Sequence, residues 1–368
     1  MRILILADPL DNQQAGIHYY TRNLLTHLAK IDTDAEYYIL RRKKDDIFPA
    51  DRQIIVKNYR FPAYAALRMF CIIPQKIKKL NTDIVVEPAH FGPFNLPGKI
   101  KRVTVMHDLT PILFPKLHRY HSQLLQRIFL KKILKKAALI ITNSDNTSRD
   151  VITYCPAAKQ KTKRIYLGSD DSIRYTGDST VPEKYTAGKP YFLFTGTIEP
   201  RKNLTELLKA FEMFKSRTGL PHMLLIGGQK GWKSRAFFNK LEQHPFRDDI
   251  CLCGFVDRKD MPGLYSHARA FIFPSLYEGF GLPVVEAMSC GTPCLLSNTS
   301  SLPEVGGDAA LYFDPLAAQE ISDSMARIVT DDKLHADLSD KALKQAEKFS
   351  WDGYCKQFDL EIRKLIKT

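Results

Sequence analysis

Two glutamates eight residues apart, Glu278 and Glu286, bracket a turn suited to bringing backbone against a ligand. The stretch reads Pro274-Ser-Leu-Tyr-Glu278-Gly-Phe280-Gly281-Leu282-Pro-Val-Val-Glu286-Ala-Met and follows an apolar run at 270–273. Gly279 and Gly281 permit a tight turn and close backbone approach, and Pro283 suits the first position of a helix. Glu286 is then expected in the first turn of that helix. Amides near Gly281, Leu282 and Val284 would face an anion that the helix dipole favours. By themselves, two such carboxylates read equally well as ordinary helix-start residues. Strand, double-glycine turn, proline and helix in succession point instead to a ligand site.

A second stretch, Phe194-Thr-Gly196-Thr-Ile-Glu199-Pro-Arg201-Lys202-Asn203-Leu, also ends an apolar run. Asn203 is expected to cap the next helix, with Glu206 completing a capping box. A guanidinium fork and a point charge beside a helix start suit a diphosphate, although a solvated basic turn has the same composition. A third stretch, Val103-Thr-Val-Met-His107-Asp108-Leu109, puts a histidine at the end of a buried strand with an aspartate beside it to orient the ring. A lone histidine is more often structural. Gly16 follows the first strand-like run. There is no Gly-x-Gly-x-x-Gly or Walker A motif. Asp32-Thr-Asp34 has the form of a metal–nucleotide pair but stands far from the other motifs. Seven scattered cysteines lack zinc or thioredoxin spacing, so neither a metal nor a cofactor is expected and a reducing compartment is the natural setting.

The elements that must position these residues alternate. Strand-like runs at 2–7, 35–40, 54–56, 83–87, 103–106 and 139–142 are separated by several helical stretches. A Gly/Pro-containing linker at 168–190 precedes a second alternation, with strands at 191–195, 223–226, 250–253, 270–273 and 294–296. The pattern predicts an α/β fold of two Rossmann-like, doubly wound domains facing a central cleft, with ligands at the carboxyl ends of the strands. The first domain is expected over 1–177, on the acceptor side, and the second over 178–351, binding a nucleotide sugar. An amphipathic helix at 352–368 is expected to pack back on the first.

Taken together, Glu278-x7-Glu286, Glu199-Pro-Arg201-Lys202-Asn203 and Gly254-Phe-Val256 resemble the retaining GT-B glycosyltransferases of the family-4 type. Val105-Met-His-Asp-Leu109, Gly228-Gln-Lys-Gly-Trp232 and Phe349-Ser-Trp351 are similar to its mannosyltransferase-B-like branch. The resemblance implies a hexosyltransferase that moves mannose from GDP-mannose onto a lipid-linked or growing oligosaccharide of a bacterial surface polysaccharide. Rhamnosyl, glucosyl or galactosyl transfer from dTDP- or UDP-sugars is the alternative. It also implies roles. Arg201 and Lys202 would bind the donor diphosphate and stabilise it as it leaves, Glu286 the ribose, Glu278 the donor sugar and Val256 the base. Gly16, Gly196, Phe280, Gly281 and Leu282 would complete the donor site, and His107 would act near the transferred sugar. Ala15 stands where many relatives have a glycine, a difference expected to stiffen the loop before Gly16. In the retaining reaction that family members perform, the leaving diphosphate takes the acceptor proton on the same face of the sugar, and no metal is needed if Arg201, Lys202 and helix amides neutralise the charge.

The 368 residues carry a formal charge of +14, which calls for an anionic partner. No acidic residue lies between Asp108 and Asp145, where Lys116, Arg119, Arg127, Lys131, Lys132, Lys135 and Lys136 interleave with Leu124, Leu125, Ile128, Phe129, Ile133 and Leu134. Such a helix either lies on an anionic membrane or packs on its own sheet with a solvated basic face. No secretory core or bilayer-spanning run is evident. The expected setting is therefore cytoplasmic, with peripheral attachment to the inner face of the cytoplasmic membrane left open. A phosphorylase or epimerase of similar fold is a competing enzyme class. A basic nucleic-acid-binding protein would explain the charge, but no recognition motif accompanies it, and nucleic acid is not expected as a partner.

Overall fold

The computed structural model describes residues 1–12, 16–59, 64–89, 92–93, 95–117 and 120–367. Ala15 and Arg119 lie outside them. By its contacts the chain forms two compact units. The first comprises Met1–Ile112, His121–Gly168 and Ser350–Thr368, and the second Leu113–Tyr120 and Ser169–Phe349. Residues 113–120 and 169–177, placed by sequence in the first domain, thus belong with the second unit.

In the first unit, β1 (Arg2–Leu6), β2 (Glu36–Arg41), β3 (Gln53–Ile55), β4 (Ile84–Glu87), β5 (Lys101–Met106), β6 (Leu139–Thr142) and β7 (Thr162–Arg164) form a parallel sheet in the order β3-β2-β1-β4-β5-β6-β7. Leu4, Leu40 and Val85 on one face join a core with Ile73 and Ile77. Ile3, Ile5, Ile39 and Val86, which alternate with them, are equally buried. Successive strand side chains point to opposite faces, so both faces are covered and the strands read as continuous apolar runs. The helix Trp351–Lys367 belongs to this core. Its Tyr354 hydroxyl lies 2.6 Å from that of Tyr20 on the helix Gly16–Leu28, and Asp352 accepts from His27 Nδ1 at 2.7 Å.

In the second unit, β8 (Tyr191–Thr195), β9 (Met223–Gly227), β10 (Ile250–Gly254), β11 (Ala270–Phe273), β12 (Cys294–Ser297) and β13 (Ala310–Phe313) are ordered β10-β9-β8-β11-β12-β13. Each sheet reverses its strand order once near the middle, between β1 and β4 and between β8 and β11. Each unit is therefore a Rossmann-like, doubly wound α/β domain, and such a reversal is where open sheets of this kind bind ligands. β7 and β13 were not expected.

Candidate functional site

β9 and β10 finish in glycine and Gly196 directly follows β8, and the backbones there lie close together. Gly196 N–H donates to Gly227 O at 2.8 Å, and Gly228 N–H to Gly254 O at 2.7 Å. Gly228 sits at φ +150°, and a Cβ there would collide with the Gly196 carbonyl. Val256 packs beside Gly227, whose added Cβ would lie 3.5 Å from Val256 Cγ2. This close approach leaves little side chain over the strand ends.

The loops after β8 and β11, which flank the reversal, are tied together. Leu276 N–H donates to Arg201 O at 2.9 Å, and Arg201 Nη1 donates to Tyr277 O at 2.8 Å. Their charged side chains form one cluster. Glu278 pairs through Oε2 with Arg201 Nη1 at 2.7 Å and through Oε1 with Lys202 Nζ at 2.7 Å, while Arg201 also pairs with Glu199 at 2.7 Å. Burial works to push the Glu278 carboxyl up, but Arg201 and then Lys202 outweigh it and hold it at about 2. Burial depresses the Lys202 ammonium, against the pull of Glu278, and its Nζ lies 4.4 Å from the centre of the Phe273 ring. Burial also raises the Glu199 carboxyl, against Arg201 and Lys202. The Glu278 loop is fixed from behind by two serines. Ser300 Oγ accepts from Glu278 N–H at 2.9 Å, and Ser301 Oγ is bonded to the Glu278 and Phe280 carbonyls at 3.0 and 2.7 Å.

Glu286 belongs to a second cluster in the same unit. Its Oε1 pairs with Arg258 at 2.7 Å and its Oε2 accepts from Tyr265 at 3.1 Å. Arg258 also pairs with Asp170 at 3.0 Å, and Tyr265 is bonded to Thr195 Oγ1 at 2.9 Å, at the end of β8. Burial opposes the Arg258 charge, but Glu286 and then Asp170 prevail and raise its pKa. Burial, then the charge of Glu286, raises the Tyr265 hydroxyl far out of the titrating range.

Several local expectations are corrected. Asn203 adopts left-handed backbone (φ 57°) and makes no side-chain cap; its Nδ2 donates to Pro315 O at 2.7 Å, so no capping box with Glu206 forms. Glu286 is the fifth residue of the helix Leu282–Ser289 and so falls past its first turn. The Val284 N–H is used within the turn, donating to Gly281 O at 2.9 Å. Gly281 has φ +115°, a conformation that glycine permits and other residues rarely adopt, and the Phe280 ring is buried against Phe349, with centroids 5.6 Å apart. Trp232 donates to Leu117 O at 2.7 Å.

In the first unit, His107 follows β5. Its Nε2 donates to Pro88 O at 2.7 Å, which fixes the tautomer and leaves Nδ1 as the acceptor. Asp108 does not orient the ring by a hydrogen bond. It accepts instead from Thr110 N–H and Oγ1 at 3.0 and 2.7 Å. Burial lowers the His107 pKa, so the ring is neutral at neutral pH. Tyr20 stands edge-on to it, with centroids 4.6 Å apart. Gly16 is the exposed first residue of the helix Gly16–Leu28.

Sequence reasoning missed Arg258, Tyr265, Asp170, Ser300 and Ser301. Arg258 lies two residues past Val256, just beyond a motif already singled out. The two serines had only a polar-loop composition to announce them.

Residues 180–345 match the model of glycosyl transferases group 1, and residues 15–172 that of Glycosyltransferase Family 4. The chain is 36% identical over 283 residues to the O-antigen chain mannosyltransferase B of Escherichia coli, covering 75% of this chain and 74% of that protein. It is 31% identical over 266 residues to the serotype-specific mannosyltransferase WbdA of Escherichia coli, covering 70% of this chain but only 32% of that longer protein. Its fold matches that of a sucrose-phosphate synthase from Thermosynechococcus elongatus with a TM-score of 0.78, at 18% identity and covering 100% of this chain and 99% of the other. With two Rossmann-like units, matches in both halves and a relative of this similarity, the chain belongs to the GT-B glycosyltransferases of the family-4 type, in their mannosyltransferase-B-like branch.

Proposed function

We propose that the protein transfers mannose from GDP-mannose, with retention of configuration and without a metal, onto a lipid-linked or growing oligosaccharide of a bacterial surface polysaccharide such as an O-antigen, capsule or exopolysaccharide. The observation that carries the reading is the buried cluster of Arg201, Lys202 and Glu278 at the strand reversal of the second unit. A bidentate donor and an ammonium, both preorganised by carboxylates, suit a diphosphate whose negative charge grows as the sugar leaves. The mannosyltransferase relatives support the choice of sugar.

In this reading Arg201 and Lys202 hold the diphosphate, and Glu278 aligns the two cations and accepts from a donor-sugar hydroxyl. Glu286, fixed by Arg258 and Tyr265, takes the ribose hydroxyls. Gly196 and the Gly281–Leu282 backbone admit the phosphates at close range, with Gly16 as a further backbone approach in the first unit. Val256 and the Phe280 backbone border the base and sugar. His107 is neutral, with Nδ1 as an acceptor, and hydrogen-bonds a sugar hydroxyl. The first unit is the acceptor side.

A panel of GDP-, UDP- and dTDP-sugars tested for thermal stabilisation and for transfer to an oligosaccharide decides the matter. Stabilisation by a ligand at a hundred times its dissociation constant amounts to about 2.7 kcal/mol. GDP-mannose alone is expected to stabilise the chain and to yield an α-linked product in the presence of EDTA. Preference for a UDP- or dTDP-sugar, a β-linked product or loss of turnover in EDTA would each overturn the corresponding part.

A further inference from the structure

β10 is an edge strand of the second unit's sheet and carries two cysteines, Cys251 and Cys253. Residues two apart in a strand point to the same face. Both are partly exposed, so a reagent in solvent can reach them. Cys290, Cys294 and Cys355 are buried instead, and burial pushes their thiols up.

The strand is deformed at the second of the pair. Leu252 is in register with Ile226 and Gly254 with Gly227, so Cys253 is an extra residue bulged out of the ladder. In regular strand, Cα atoms two residues apart stand about 6.7 Å from one another, near the upper limit of about 6.8 Å that a disulfide spans. A bulge bends its strand and re-aims a side chain, which eases that span. The two thiols interact directly. A hydrogen bond from Cys253 holds the Cys251 thiol below its ordinary range, against burial and with help from the charge of Arg247. The same bond, and burial after it, raise the Cys253 thiol. One sulfur is thus suited to attack while the other keeps its proton. The helix Thr180–Thr186 packs against β10, and its Tyr185 lies near both thiols and near Asp257 and Asp260.

We propose that Cys251 and Cys253 form a thiol–disulfide modification site whose reactant is a low-molecular-weight disulfide. The Cys251 thiolate attacks one sulfur of the reactant, forms a mixed disulfide and expels one thiolate. The Cys253 sulfur then gives up its proton and attacks Cys251 Sγ, expelling the second. Two protein thiols are oxidised to one disulfide, the reactant is reduced to two thiols, and the protons of Cys251 and Cys253 end on them. In a reducing compartment such a bond is transient, as redox sensing requires.

The site has a target beside it. Cys253 precedes Gly254, whose carbonyl accepts from Gly228 N–H at 2.7 Å. The chain leads on past Val256 to Arg258, the partner of Glu286. Closing the disulfide pulls on this segment and weakens donor binding. That consequence rests on the transferase reading above; the modification site itself rests on β10 alone.

The full chain is exposed to oxidised glutathione, its remaining thiols are alkylated, and it is digested with trypsin. Cleavage after Arg247 and Arg258 isolates a peptide whose only cysteines are this pair. Mass spectrometry is expected to find it lighter by two hydrogens, with neither alkyl groups nor glutathione, and dithiothreitol should restore both thiols. In Cys253→Ser the reaction should stop with glutathione on Cys251, whereas in Cys251→Ser position 253 should remain open to alkylation. A native peptide that stays fully alkylated or keeps glutathione on Cys251 overturns the proposal, as does equal reaction of the two single variants. Thermal stabilisation of the oxidised chain should need about tenfold more GDP-mannose, the factor that one lost hydrogen bond implies, and Cys251→Ser should be indifferent to the oxidant. A disulfide that leaves the donor's effect unchanged removes the coupling and keeps the site. A disulfide formed in a chain that no nucleotide sugar stabilises keeps the site and removes the transferase reading.

Discussion

At the scale of single residues, Glu278 governs the charge state of the second unit's site. It lies between Arg201 and Lys202, and its carboxyl is held at about 2, below the usual 4.5, by their charges. A depressed carboxyl contributes stability that is fully present above about pH 4.5 and is lost as pH falls toward 2. Glu278→Gln leaves Lys202 buried without its counter-charge, which is expected to cost about 3–5 kcal/mol near neutrality. The gap from the native chain should narrow in thermal melts as pH is lowered from 5 to 3. A gap that stays constant across that range would show the pair to be energetically silent. Arg201→Ala removes a preorganised donor and should reduce kcat about a hundredfold, read by initial-rate assays on the stabilising donor, with undiminished turnover the contrary result. The motif residues around Glu278 and Arg201 were legible because glycine, proline and charged types occur there in an order few other structures need. Arg258 and Tyr265 were not, because an arginine in a polar turn and a tyrosine on an apolar helix face have common structural uses. What marks them is their meeting at Glu286, a tertiary event.

At the scale of elements, the apolar runs disclosed the sheets well, since strands buried on both faces carry unbroken hydrophobic sequence. The two strands that were missed are short edge segments. Thr162–Arg164 is polar throughout, and Ala310–Phe313 is four residues long. The cap assigned to Asn203 failed because the residue bridges two elements by taking a left-handed conformation, which asparagine tolerates and a local motif does not reveal. The π-turn at Arg68–Ile72 has no sequence signature at all. The pairing of the helices Gly16–Leu28 and Trp351–Lys367 gives a further prediction. The Tyr20 and Tyr354 hydroxyls are buried against each other at 2.6 Å. Tyr20→Phe or Tyr354→Phe alone strands the partner hydroxyl and is expected to cost about 1–3 kcal/mol. The double variant should lie close to the native chain in a denaturation cycle, and strictly additive losses would show that the two hydroxyls do not depend on one another.

At the scale of the whole molecule, the charge of +14 asks for a destination. The helix Tyr120–Lys136 buries Leu130, Ile133 and Leu134 in the first unit's core and leaves Arg127, Ile128, Lys131, Lys132, Lys135 and Lys136 exposed. The side chains of Leu124 and Leu125 lie outside the described residues. Among the described residues no helix is long and apolar enough to cross a membrane. We propose that the exposed face rests on anionic lipid, where each nearby Lys or Arg contributes about 1 kcal/mol at low salt. Flotation with vesicles rich in phosphatidylglycerol should carry the protein up. Replacing the four lysines by glutamine, or raising the salt, should release it, and equal recovery with zwitterionic vesicles would remove the idea. The composition forecast a basic surface. Which side of the helix carried it depended on packing against β5 and β6.

The first unit is built from distant parts of the chain. Tyr20 meets Tyr354 and His27 meets Asp352 across more than three hundred residues, whereas the second unit is drawn almost entirely from one continuous stretch. Contacts so remote in sequence form slowly. During synthesis the earlier-made part of the first unit must wait, with part of its interior uncovered, until the helix Trp351–Lys367 has emerged from the ribosome. The half made later can close first. Emergence of that helix should therefore be the step at which the first unit stops being vulnerable to chaperone capture and proteolysis.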